Sequence, residues 1–269
     1  MARILSILVG LFFTVALAWS FGVGFYTWAT EPAQPTAEHE FHEHPKHVSF
    51  SSDGPFGTFD RQQLQRGFQV YQQVCAACHA LKHVAFRDLE HIGYNEAEVK
   101  AIAAQFQIPK YDEKTGEVTT AEGTPTDYFP PVAYGGQGSP PDLSLITKAR
   151  HDGGPYVYSL LTGYQDQPAE LLKHFPDSKT PDGLYYNPYF ANLNLAMPPP
   201  LMPDMVTYSD GTKATVDQMA KDVSAFLIWS AEPTLEKRRQ TGWPILGFLL
   251  FATILGYMSY RNIWAGKKH

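Results

Sequence analysis

The chain of 269 residues contains two cysteines, three positions apart as Cys75-Ala76-Ala77-Cys78, and the next residue is His79. On one helical face, thiols at that spacing reach the two vinyl groups of a haem, while the residue that follows offers an imidazole to the iron. The pattern predicts covalent attachment of one haem c through Cys75 and Cys78, with His79 as an axial ligand. The rival use of the same residues, a redox-active thiol pair, belongs in a βαβ setting, which the surrounding sequence lacks. Two neighbouring cysteines also cannot form the multi-bridge framework of a small secreted domain.

A haem iron needs a sixth ligand or an open position, and a soft thioether raises the potential of the couple. Met197 lies in Leu195-Ala196-Met197-Pro198-Pro199-Pro200, where prolines stiffen a loop that presents sulfur at low ordering cost. Met202 and Met205 are rivals, and side-chain chemistry leaves the three open. His39, His42, His44 and His47 are a second set of potential metal ligands, but they fall on a segment without periodicity and read as a solvated linker.

The elements that must position these groups are mostly helical. Leu64, Phe68, Tyr71 and Cys75 share one face of an amphipathic helix starting near Thr58 or Asp60, and that helix delivers the cysteines. Residues 110–141 are rich in Pro, Gly and Thr and predict a long surface loop. Helix returns between Pro155 and Tyr164. Thr215 and Gln218 form a capping-box pattern, and Val216, Met219, Val223, Phe226 and Leu227 follow at helical spacing up to Glu232-Pro233, with Met219 on the core stripe. No set of alternating strands is evident. The expected class is mainly α: a cytochrome c-like haem domain with long loops, plus a C-terminal transmembrane helix.

Two uncharged runs bracket the chain. Ile4 to Trp28 follows Arg3 and contains small-residue cleavage patterns, so it predicts an export signal, with retention as a membrane helix as the alternative. Trp243 to Tyr260 would span roughly 27 Å as a helix, close to the hydrocarbon thickness of a bilayer. Trp243, Tyr257, Tyr260 and Trp264 suit an interfacial aromatic belt, and Pro244 is tolerated in a first helical turn. Basic residues flank this run on both sides, so charge alone draws on orientation; export places the domain outside and the tail inside. The expected layout is a signal or N-terminal helix (1–29), a His/Pro-rich tether (30–57) with no core of its own, a haem domain (58–235), an anchor (243–264) and a basic cytoplasmic tail (265–269).

The formal charge of −6 excludes nucleic acid as a partner, because no basic stripe is present to release counterions from phosphates. It suits a basic protein instead. Between Asn95 and Pro130, Glu96, Glu98, Asp112, Glu113, Glu117, Glu122 and Asp127 outnumber Lys100, Lys110 and Lys114. Such a run is a solvated face or a field that steers a basic partner.

The stretch Arg66-Gly67-Phe68-Gln69-Val70-Tyr71 leading into the cysteines, with Val84-Ala85-Phe86-Arg87-Asp88-Leu89, resembles the cytochrome c1 family of the quinol:cytochrome c oxidoreductase, the cytochrome bc1 complex. Pro140-Pro141-Asp142-Leu143-Ser144, Ala149-Arg150-His151, Tyr156 to Tyr164, Tyr186-Asn187-Pro188-Tyr189-Phe190 and Asp217 to Pro233 extend the resemblance in order, so that it spans about 57–264. Tyr134-Gly135-Gly136 departs from the family pattern. The resemblance implies Met197 as sixth ligand and Arg150 at a haem propionate. It also implies a pocket of Tyr156, Leu160, Phe190 and Leu195, with Pro141 beside His79. It further implies a bacterial inner-membrane subunit with a periplasmic haem domain that accepts electrons from a Rieske iron–sulfur protein and passes them to a cytochrome c. Quinol chemistry would fall to a partner cytochrome b. Another anchored c-type cytochrome, such as a haem subunit of a terminal oxidase, is the alternative.

Overall fold

The computed structural model describes residues 2–31, 35–111, 116–136 and 138–267. The chain divides by contact into two compact units: Met1–His42 with Pro168–Lys179, and Glu43–Gln167 with Thr180–His269. In the first, α1 (Ala2–Thr30) is apolar and exposed all round, while α2 (Ala37–Phe41) packs on α7 (Ala169–His174), helped by an edge-on contact between Phe41 and Phe175. Thr36 caps α2 by accepting the His39 N–H.

The second unit is organised by α3 (Arg61–Val70) crossing α8 (Val216–Ala231). Asp60 starts α3 by accepting the N–H groups of Gln62 and Gln63, which are orphan donors of a first turn. Gly67 lets the two helices meet backbone to backbone: a Cβ there would lie 2.1 Å from Asp222 O and 2.7 Å from Phe226 Cβ. Leu64, Phe68, Val223, Phe226 and Trp229 close the core around that crossing. Asp222 is fully buried in the seam, and Arg66, Gln63 and Gln218 all donate to its carboxylate. A cation and two amide donors on one carboxylate are what make this buried charge tolerable.

Around the crossing lie α4 (Glu96–Ala103), α5 (Ile146–Ala149) and α6 (Gly153–Thr162), and α6 packs on α8. The prevalence of helix agrees with the sequence reading, and so do the position of Met219 in the core and the limits of α8. Thr215 accepts the Gln218 N–H, but the Gln218 side chain turns to Asp222, so only half of the expected capping box forms.

Four expectations need correction. The stretch read as a loop from Lys110 contains a hairpin, in which β1 (Gln107–Tyr111) pairs antiparallel with β2 (Val118–Glu122). A second small pair joins β3 (Tyr185–Tyr186) to β4 (Asn194–Leu195). Pro109 and the turn residues hid the β-branched run Val118-Thr119-Thr120 from a periodicity reading. The part of the tether from Glu43 onward lies on the domain: Phe50 is 5% exposed within the core, and the Lys46 backbone N–H donates to Ser159 Oγ at 2.8 Å. The cysteine-bearing helix does not continue as α; Tyr71–Cys75 forms a π turn, with Ala76 N–H donating to Tyr71 O. Finally, α9 runs from Leu235 to Trp264, so Pro244 lies inside it rather than in its first turn. Pro244 has no N–H, so the Gln240 carbonyl one turn earlier lacks its helical donor.

Candidate functional site

The π turn matters because it widens the last turn of the α3 run, and π turns recur at functional sites. Beyond it, His79 N–H donates to Cys75 O at 2.9 Å and Cys78 N–H to the same carbonyl at 3.0 Å, so the five-residue motif is tightly coiled. Tyr71 Oη donates to His79 O at 3.0 Å. The segment that follows is stitched to the Pro140–Ser144 loop. Leu143 N–H donates to Ala80 O, Lys82 N–H to Asp142 Oδ2 and His83 N–H to Ser144 Oγ. His79 Nδ1 lies 2.8 Å from Pro141 O. A carbonyl accepts only, so this contact places the ring proton on Nδ1 and leaves Nε2 as the free lone pair.

Opposite these groups stands the loop after β4. Pairing of Tyr185 with Leu195 and Tyr186 with Asn194 fixes its start, and Tyr164 Oη donates to Met197 O at 3.0 Å. Buried Asn187 supports the same region: its Nδ2 donates to Leu160 O at 2.8 Å, and its backbone N–H to Leu193 O at 2.8 Å. Leu193 holds a left-handed conformation, φ 64°, inside that turn.

Between the two arms is a cavity of about 420 Å³, within the range of small-molecule and cofactor sites. Cys75, Cys78, His79, Pro141, Arg150, Tyr156, Leu160, Phe190, Leu195 and Met197 all line it. The structure thus brings together the residues singled out by motif and by resemblance. Among the described residues Met197 is the methionine on this wall; Met202 is 61% exposed and its backbone N–H faces Met205 Sδ. Val223 and Leu227 of α8 contribute wall residues that sequence reasoning assigned only to the core, and Tyr134, where nothing was inferred, lines it too. Tyr164 and Asn187 were missed as supports because each acts through a partner about 30 residues away, which spacing does not reveal.

Electrostatics distinguish this wall from a redox dithiol. Burial, and then the neighbouring Cys78 sulfur, pushes the Cys75 thiol up to about 12; a reactive dithiol depresses it instead. Both strand pairs among the described residues are antiparallel, so the βαβ setting of such dithiols is absent there. Burial raises Tyr156, with Arg150 opposing, and raises Tyr164 further, so both phenols are neutral near pH 7. The donor set of two thiols, an imidazole with a free Nε2 and a thioether, on an apolar wall with one guanidinium, fits a covalently held haem.

The acidic residues lie elsewhere. Glu96 and Glu98 occupy the first turn of α4, where Glu98 accepts the Asn95 N–H at 2.8 Å and completes a capping box. Asp127 pairs with Lys110. Asp112 and Glu113 lie outside the described residues.

The Cytochrome C1 family model matches residues 50–267. A protein named cytochrome c1 from Rhodospirillum rubrum is 42% identical over 237 residues, covering 82% of this chain and 87% of the relative. Its counterpart from Cereibacter sphaeroides is 43% identical over 263 residues, covering 84% and 88%. A protein named cytochrome b/c1 from Bradyrhizobium diazoefficiens is 40% identical over 255 residues, covering 86% of this chain and 37% of its own length.

Proposed function

The chain belongs to the cytochrome c1 family, and on that premise we propose how its own residues perform the work of the family. It is a membrane-anchored electron-transfer subunit of the cytochrome bc1 complex, associated with cytochrome b, and it carries one covalently bound haem c. In our reading Cys75 and Cys78 carry the thioether bonds, and His79 and Met197 are the axial ligands. Arg150 neutralises a propionate, and Tyr156, Leu160, Phe190, Leu195 and Pro141 enclose the ring. When bound, the haem supplies a one-electron iron couple whose potential a thioether ligand raises.

Each residue then has a physical task. Pro141 O keeps the proton on His79 Nδ1 and turns Nε2 to the cavity. Tyr164 and the prolines hold the Met197 loop closed. The apolar wall from α6 and α8 excludes water, and Arg150 supplies the cation that a partly buried carboxylate requires. With His79 and Met197 both holding the iron, the site would serve electron passage rather than the binding of a gas or a peroxide. The observation that carries this reading is the convergence of Cys75, Cys78, His79 and Met197 on one cavity.

We assign the electron donor as a Rieske iron–sulfur protein and the acceptor as a cytochrome c, with residues 58–235 on the periplasmic side of a bacterial inner membrane and residues 265–269 inside. Residues 1–29 serve as export signal or second helix. Glu96 and Glu98, with Asp112 and Glu113, provide the field that attracts a basic acceptor. Haem should remain with the chain through denaturation and acid–acetone extraction, and the chain should co-purify with cytochrome b and the Rieske protein. Loss of all haem on extraction defeats the attachment. Cytochrome c reduction should slow steeply as the Debye length shrinks from about 30 Å at 0.01 M salt to about 10 Å at 0.1 M. Neutralising the four acids should flatten that dependence; an unaltered dependence places acceptor docking on another surface.

A further inference from the structure

One stripe of α9 grips the domain before the helix reaches its apolar run. Glu236, Arg239 and Trp243 are spaced by three and four residues, which puts them on a single helical face. Glu236 accepts the Phe59 backbone N–H at 2.7 Å and pairs with Arg61 at 2.5 Å. Arg239 Nη1 donates to Ser52 O at 3.0 Å and to Gly57 O at 2.5 Å, clamping both ends of the 52–57 loop. Trp243, one turn further along, stacks on Phe56 with ring centroids 5.4 Å apart and planes 16° from parallel.

The loop is also rigid in itself. Asp53 Oδ2 accepts the Phe50 N–H, Thr58 N–H donates to Ser51 O, and a Cβ on Gly57 would meet Asp53 O at 2.1 Å. Its tip is apolar, Pro55-Phe56, and Phe56 is 78% exposed. A rigid loop that holds a phenyl ring out to solvent needs a reason, and the depth of its stacking partner supplies one. Trp243 and Trp264 are 21 residues apart, about 32 Å along a helix, against a hydrocarbon core of about 30 Å. The two tryptophans therefore bracket the core at the depths where aromatic residues anchor. A ring stacked flat on Trp243 shares its depth.

We propose that the 52–57 loop is a bilayer-contacting wedge. Phe56 enters the headgroup–acyl boundary beside Trp243, so the domain meets the membrane at two points and is held at a set tilt. This rests on membrane anchorage and not on the haem ligands. Nitroxide labels on Phe56→Cys, Ile254→Cys and Tyr111→Cys test it, using the full haem-bearing chain in phosphatidylcholine vesicles and the intact complex. The Phe56→Cys label should collide severalfold more with oxygen than with a water-soluble nickel chelate, as Ile254→Cys should, while Tyr111→Cys should show the reverse. Preference of Phe56→Cys for nickel, with Ile254→Cys still preferring oxygen, overturns the wedge alone. Preference for nickel at both overturns the anchorage beneath it. Shielding of Phe56→Cys from both reagents in the complex means a protein covers the tip and also overturns it. In oriented bilayers, Phe56→Asp should broaden the distribution of haem tilt seen by linear dichroism; an unchanged distribution counts against the wedge.

Discussion

The two arms of the cavity are built differently. The His79 arm is over-determined: a coiled motif, the Tyr71 hydroxyl on the His79 carbonyl, and a seam of bonds to Pro141–Ser144. The Met197 arm is a loop, held by a two-residue strand pair, one phenol and consecutive prolines. The first arm has many ties to share a loss, and the second has fewer. The histidine side thus serves as the fixed reference of the site and the methionine side as its adjustable jaw.

Substitutions can break or refine that contrast. The largest effect is expected from His79→Ala, which removes the imidazole that the fixed arm presents while leaving the arm's other ties in place: the low-spin spectrum should disappear while covalent haem persists. Met197→Leu should keep the haem, open the iron to carbon monoxide and lower the potential by roughly 0.1 V or more, part of the ~0.8 V range that axial ligands command. Should Met202→Leu have that effect and Met197→Leu not, the jaw has been misassigned.

Next in size is a tie on the fixed arm. Asp142 accepts the N–H groups of Lys82 and Ser144, so Asp142→Ala should cost about 2 kcal/mol of stability in a denaturant titration. The remaining ties should keep the iron closed to carbon monoxide. Tyr164→Phe should do the opposite. It removes one hydrogen bond of about 1 kcal/mol, about half the stability cost expected for Asp142→Ala, yet should raise the population with Met197 detached roughly fivefold, read as faster carbon monoxide binding. Equal behaviour of the two variants would erase the distinction between the arms.

The smallest effect concerns pH. Burial, then Tyr156 and Tyr185, holds the Tyr164 phenol above its ordinary value of about 10. A folded-state value above the unfolded one means that its contribution is complete below pH ~10 and declines as pH rises beyond that. The jaw should therefore show no titration by Tyr164 across the neutral range, and an alkaline loosening above pH ~10 should lose its Tyr164 component in Tyr164→Phe. Ligand-exchange titration of both proteins measures it.

The motif of the fixed arm was legible because its information is local, whereas the seam to Pro141–Ser144 joins residues about 60 positions apart. Cys75, Cys78 and His79 declare themselves by spacing, Asp60 and Thr215 by cap chemistry, and the apolar runs by length. The jaw was legible only to the extent that prolines mark a stiff loop; choosing Met197 over Met202 and Met205 needed resemblance, because Tyr164 and Asn187 act across the fold. The β1–β2 hairpin was concealed by turn residues and Pro109. The ordering of residues 43–57 was hidden for another reason: Phe50 and Lys46 find their partners on elements far along the chain. The π turn has no sequence signal comparable to a cap.

The crossing at Gly67 also bears on kinetics. Where side chains separate two helices, rotamers give the joint some play; where backbones touch, as Gly67 touches Asp222, there is little to take up. The helix that leads into Cys75 is thus seated on α8 almost as a machined part on its bearing. A site that gains and loses one unit of charge pays for every atom that must shift in response, and preorganised surroundings avoid that cost. Gly67 thereby acts as a constraint on reorganisation on the cysteine-bearing side of the site: the helix that leads into Cys75 has little room to shift against α8.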